Sequence, residues 1–179
     1  MNTVYTIGHS TRAIEEFVDL LRQHSIAQLV DIRTIPRSRH NPQFAQEALD
    51  QSLSEQGISY IYLSSLGGLR PSVETSENRG WRNKSFRNYA DYMQTEEFSN
   101  GLVRLIDLSK RATTAIMCAE AVPWRCHRSL VADALTVRSV PVCEIIGPKS
   151  VRPHKLTAFA RVVGDKVTYP EDGSRGGEV

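Results

Sequence analysis

The chain reads as a three-layer α/β domain, with a mainly parallel sheet of about five strands flanked by helices. Three observations predict this. Short β-favouring runs recur along the sequence, helical apolar spacing fills the intervals between them, and 179 residues at 40% hydrophobic content suffice for one core. Strands and helices that alternate in this way form right-handed βαβ crossovers, which set successive strands parallel.

The first strand is Val4-Tyr5-Thr6-Ile7, stopped by Gly8. Ser10 or Thr11 then stands where it can cap a helix carried by Ile14, Phe17, Leu20 and Leu21. The second strand is Leu29-Val30-Asp31-Ile32. A basic loop over 33–40 follows, and then a helix that Asn41 caps, Pro42 opens and Gly57 ends. Residues 58–63 make the third strand. The stretch 64–85 holds Gly67, Gly68, Pro71 and Gly80 and exceeds a simple connection; loops of that length are usually functional or disordered. Helical spacing returns at Phe86, Tyr89, Tyr92 and Met93 and again at Phe98, Leu102, Leu105 and Ile106, as one kinked helix or two in succession. Residues 113–118 form the fourth strand, Leu130, Val131, Ala134 and Leu135 mark another helix, and 140–146 is the fifth strand. Residues 159–163 and 166–169 flank Gly164-Asp165 and predict a small C-terminal hairpin. One domain over 1–170 follows, with a mobile polar tail over 171–179.

Twenty-two basic side chains against 20 acidic ones leave a net charge of +2, too little for strong non-specific binding to duplex nucleic acid. Seventeen of the 22 are Arg, the better fork for phosphate and carboxylate, although a GC-rich genome produces the same skew. No window approaches the roughly 20 apolar residues that cross a bilayer. The N-terminal MNTVYTIGHS lacks the basic and apolar regions of a signal peptide, and three cysteines are too few for a disulfide scaffold. The expected location is the cytoplasm, with no membrane partner.

In an open parallel sheet the ligand crevice lies beyond the carboxyl ends of the strands. Here strand one delivers Gly8-His9-Ser10, and strand two delivers Asp31 and Arg33 with Arg37, Arg39 and His40 behind them. Strand three leads to Leu66-Gly67-Gly68, strand four to Cys118 and Glu120, and the next helix begins near Cys126-His127-Arg128-Ser129. Cys118 and Cys126, eight positions apart, can face each other across a loop. A helix N-terminus with Arg125, His127 and Arg128 beside it lowers a thiol pKa, which favours Cys126 as the thiolate. Strand-end geometry favours Cys118 as the nucleophile, so both stay candidates. Cysteine also serves as a small buried hydrophobe, and that role fits Cys143 inside the fifth strand. Between Cys118 and Arg125 stand six residues, among them Pro123 and no glycine, so backbone amides cannot wrap a phosphate there as they do in cysteine phosphatases and rhodaneses.

His9 is a general base or ligand, or a turn histidine bonded to a backbone carbonyl. Asp31 forms a local salt bridge, or orients His9 or Arg33. Glu120 is an acid or base beside the thiol, or a capping residue. His9, Cys118, Cys126 and His127 would make a soft N/S ligand set. Adjacent positions on a helix diverge, however, and no CxxC pair is present, which ranks a metal below an unmetallated thiol site. In the long loop Arg70, Arg79, Arg82, Lys84 and Arg87 alternate with Trp81, Phe86 and Tyr89. That mixture suits bases stacked beside a phosphate backbone, and equally a solvated face with its aromatics turned to the core.

Thr6-Ile7-Gly8-His9-Ser10, Asp31-Ile32-Arg33 with Pro36 and Ser38, Leu66-Gly67-Gly68, Cys118-Ala119-Glu120, Cys126-His127-Arg128 and the stretch 156–170 together resemble the bacterial family termed domain of unknown function 488. The resemblance spans nearly the whole chain. It implies a stand-alone α/β domain with no reaction attached, and it strengthens the choice of site.

The expected function is that of a thiol-dependent enzyme for a small anionic ligand or nucleotide. Cys118, Cys126, His9 and Glu120 carry the chemistry; Ser10, Asp31, Arg33, Arg37, Gly67, Gly68, His127 and Arg128 bind substrate, and no cofactor is assigned. The alternatives are a non-catalytic nucleic-acid or nucleotide-binding module, and a metal-binding or redox-sensing protein that uses Cys118 and Cys126.

Overall fold

The computed structural model describes residues 2–171, and its centre is a six-stranded sheet. In chain order the strands are β1 (Val4–Gly8), β2 (Gln28–Asp31), β3 (Ser59–Tyr62), β4 (Thr114–Cys118), β5 (Val142–Gly147) and β6 (Ser150–Pro153). They lie side by side as β3-β2-β4-β1-β5-β6. The first five run parallel, as the βαβ pattern requires; β6 folds back antiparallel on β5 as an edge strand that the apolar pattern did not signal, because all four of its residues are exposed. The C-terminal hairpin is present as β7 (Arg161–Val163) and β8 (Lys166–Thr168), turning at Gly164 with φ +61°.

Helices cover both faces. On one side α1 (Ile14–Gln23) and α2 (Gln46–Ser54) pack Phe17, Leu21, Leu49 and Leu53 against Ile7, Leu29, Met117 and Ile145. On the other, α3 (Lys84–Tyr92), α4 (Glu96–Arg111) and α5 (Arg128–Val137) pack Phe98, Leu102, Leu105 and Leu130 against Val30, Ile116 and Val142. Successive strand residues point to opposite faces, so Cys118 faces α5 while Met117 faces α1. Among the described residues no helix is long and apolar enough to cross a membrane.

Several boundaries differ from the sequence reading. Neither Ser10 nor Thr11 caps α1; Ala13 precedes it without a side-chain cap, and Ser10 adopts φ +49° to turn the chain away from β1. Pro42 opens a 3-10 turn (Pro42–Phe44) ahead of α2, and Asn41 makes no side-chain cap there. α2 ends at Ser54, and Gly57, at φ +71°, lets the Ile58 amide reach back to the Leu53 carbonyl at 2.9 Å. The helical region after the long loop is two helices, because the Thr95 hydroxyl donates to the Tyr92 carbonyl and accepts from the Phe98 amide. The loop itself mounts the C-terminal hairpin. Buried Asn78 accepts from the Tyr169 amide at 2.8 Å and donates to Asp91, while the Gly80 amide reaches the Tyr169 carbonyl. Apart from Glu171, the expected tail over 171–179 lies outside the described residues.

Connections from the middle strands part in opposite directions. β1 leads through α1 towards β2, whereas β4 leads through α5 to β5, so the carboxyl ends of the adjacent β1 and β4 form the switch point where open sheets bind ligands.

Candidate functional site

The sulfurs of Cys118, the last residue of β4, and Cys126, just ahead of α5, meet at this switch point as a disulfide. Both residues are buried at the floor of a cleft of about 710 Å³. Cys126 is not yet helical: its backbone is extended at φ −134°, ψ 143°, and the helix begins two residues later. This overturns the expectation that Cys126 and His127 diverge. Off the helix their side chains converge, with Cys126 Sγ 3.6 Å from His127 Nδ1.

His127 Nε2 lies 3.0 Å from the Ile32 carbonyl, which can only accept, so Nε2 carries the proton and the Nδ1 lone pair points at the sulfur. Burial pushes the imidazole pKa down to about 4, against the raising effect of that carbonyl, and the ring is neutral. Gly68 packs on the ring, where any Cβ would collide with it. Cys118, Cys126 and His127 thus offer three donor atoms within 4.8 Å of one another.

Arg128 is wholly buried behind the sulfurs. Its Nη1 reaches Cys118 Sγ at 3.6 Å and the Glu120 carbonyl, its Nη2 reaches the Ala121 carbonyl at 3.0 Å, and its backbone amide reaches Cys126 Sγ at 3.5 Å. One guanidinium therefore ties down the loop between the cysteines and touches the first of them. Gly8 makes room for this: a side chain there would strike the Glu120 carbonyl.

On the β1 and β2 side, Asp31 is completely buried and orients Arg33, not His9. Its carboxylate accepts from Arg33 Nε at 2.9 Å and Nη2 at 2.6 Å, and from the Tyr60 hydroxyl at 2.6 Å. Arg33 Nη1 in turn donates to His9 Nε2 at 3.3 Å. His9 Nδ1 donates to the Ser10 carbonyl at 2.8 Å, and the ring stacks on Phe44 with centroids 4.4 Å apart. Burial lowers the His9 pKa, so this imidazole too is neutral, with its accepting nitrogen held by Arg33.

The cleft wall brings together Cys118, Cys126, His9, Glu120, Ser10, Arg33, Arg37, Gly68 and His127. Asp31 and Arg128 stand behind it, and Gly67 lies outside it, packed on Thr34. The two glycines therefore serve close packing. Sequence reasoning missed Arg12, which donates to the Gly8 and Ile146 carbonyls, and also Phe44 and Tyr60, whose roles depend on contacts across the fold. Trp81 stands away from this cleft, packed against Phe86, Phe159 and Tyr169, so its ring is turned to the core. Cys143 is a free, partly exposed thiol, because β5 has only the short β6 beyond it; it is not the buried hydrophobe expected.

No curated protein and no solved structure matches the chain. A family model described as domain of unknown function DUF488 matches residues 13–135. That span holds the Asp31-to-Arg33 segment, Gly68, both paired cysteines, His127 and Arg128, so nearly the whole floor of the cleft falls within it. By a match over well more than half its length, the chain belongs to the DUF488 family.

Proposed function

We propose that the protein is a thiol-dependent enzyme acting on an anionic substrate at the carboxyl edge of the sheet. The observation that carries this reading is the meeting of two sulfurs at the floor of a cleft whose walls present the exposed Arg37 and Arg125. Arginine forks bind phosphate or carboxylate bidentately. The working form is the dithiol, reached by two-electron reduction of the disulfide by an external dithiol, which is itself oxidised to a disulfide. One thiolate attacks the electrophilic centre of the bound anion, a bond from sulfur to substrate forms, the leaving group departs with its electron pair and a proton from Glu120, and water then cleaves the sulfur–substrate bond to return the thiol. A nucleic-acid module has less support, since the Trp81 ring that base stacking needs is occupied by core aromatics.

The test needs no known substrate. Reduced protein is alkylated with iodoacetate and with iodoacetamide, and each cysteine is followed by peptide mass. An anion-selective thiol cleft raises the iodoacetate-to-iodoacetamide rate ratio at Cys118 or Cys126 above that at Cys143, and Arg37→Glu or added salt lowers it again. Equal ratios at all three cysteines would overturn the reading.

A further inference from the structure

We propose that the reduced Cys118–Cys126 pair and His127 form a three-ligand site for zinc or a similarly thiophilic divalent cation, with its fourth position open to the cleft. Four observations converge on this. The three donor atoms lie within 4.8 Å of one another, the reach of a single ion. His127 is already in the ligating tautomer, its Nε2–H committed to the Ile32 carbonyl and its Nδ1 aimed at the sulfurs, which is how second-shell bonds orient metal-binding histidines. Each sulfur accepts an N–H from Arg128, one from its backbone and one from its side chain, and such bonds stabilise thiolates. The Cα atoms of the two cysteines stand 7.4 Å apart, outside the usual disulfide span of about 4.4–6.8 Å, so once reduced the sulfurs can part to admit an ion.

Two thiolates and a neutral imidazole are a soft donor set that selects zinc over magnesium or calcium. Binding is a proton exchange without redox change: one cation enters, the protons still held by the sulfurs leave to solvent, and two metal–sulfur bonds and one metal–nitrogen bond form. Three protein ligands with a vacant fourth position are the arrangement of an open site, and all three ligands here line the cleft. The cation and the attacking thiolate of the proposed reaction use the same sulfurs, so the loaded form is closed to alkylation. The inference does not rest on that reaction.

The experiment uses the whole chain, reduced without oxygen, mixed with zinc chloride or cadmium chloride and desalted. Elemental analysis should find one cation per chain, and alkylation of Cys118 and Cys126 should slow at least tenfold while Cys143 reacts as before. Cys118→Ser and Cys126→Ser should each lose the cation, and His127→Gln should weaken retention with the circular dichroism unchanged. A cation lost on desalting, protection that extends equally to Cys143, or retention by Cys118→Ser would overturn the proposal. Because the iodoacetate ratio is read on metal-free protein, failure of the enzyme reading and failure of this site are told apart.

Discussion

Arg128 is fully buried, yet its Nη1 lies 3.6 Å from the Sγ of Cys118, and among the described residues it makes no ion pair with a carboxylate. Its Nε has no partner at all. Burial pushes its pKa down to about 10, although the more distant Glu144 and Glu120 partly offset this. A buried charge without a counter-ion is costly. In the dithiol state the thiolate of Cys118 is the group placed to balance it.

Arg128→Met should therefore slow iodoacetamide modification of reduced Cys118 at pH 7 by about tenfold, equivalent to one pH unit in thiol ionisation. A thermal melt separates this from unfolding. An unchanged rate in folded protein would reduce the arginine to a tie for the loop over 119–125. The same pairing makes the disulfide reducible, because reduction restores the counter-ion. Its potential should lie above the roughly −300 mV of structural disulfides, as read by equilibration with glutathione.

Gly68→Ala tests the support of His127. The added Cβ meets the imidazole, so the ring must move off Cys126. Such overpacking costs about 1–3 kcal/mol, measured as a shift in urea midpoint. Zinc retention should fall with it, since the lone pair no longer points at the sulfurs.

Asp31→Asn leaves Arg33 buried with its ion pair broken, and loss of one partner of a buried pair costs about 3–5 kcal/mol. Tyr60→Phe removes a single hydrogen bond to the same carboxylate and should cost about 1 kcal/mol. Denaturant unfolding ranks the two, and an equal loss would show that Asp31 acts through something other than Arg33.

A pH effect arises away from the cleft. His154 donates from Nδ1 to Glu144 and from Nε2 to Asp133, both at 2.8 Å, and Asp133 also accepts from Tyr169 at 2.7 Å. Burial opposes the charge, but the two carboxylates outweigh it and raise the His154 pKa to about 9. The folded value lies above the unfolded value of about 6.5, so this stabilisation is complete below pH 6.5 and is lost as the pH climbs through 9. The amount is about 3 kcal/mol at most. Urea midpoints taken from pH 6 to 9.5 should fall, and His154→Gln should flatten that slope; a parallel slope in the variant would place its origin elsewhere.

Much was legible in the sequence because it is local. The strand runs, the helical spacing and the turn at Gly57 each follow from side chains within a few positions of one another, and β-strand periodicity placed Cys118 at a strand end. The rule that ligands gather at the carboxyl ends of parallel strands then nominated His9, Arg33 and Cys118 before any contact was known. β6 escaped because an exposed edge strand carries no apolar signal. The divergence expected of Cys126 and His127 failed for a related reason: the pattern brackets the start of α5 within 126–129, and its exact start at Arg128 decides whether those two side chains splay or meet.

The sequence alone determined the class of fold and the edge of the sheet at which reactive groups collect, since hydrophobic period and strand order along the chain are one-dimensional properties. Which groups touch was decided only by the tertiary structure. Placing β4 between β1 and β2 brings Cys118 beside Gly8 and sends Arg128 beneath the sulfurs. The register that sets Gly8 beside Cys118 joins segments more than a hundred residues apart, and even the Arg128–Cys118 contact, ten residues apart, depends on how the loop between them packs, which no local pattern encodes.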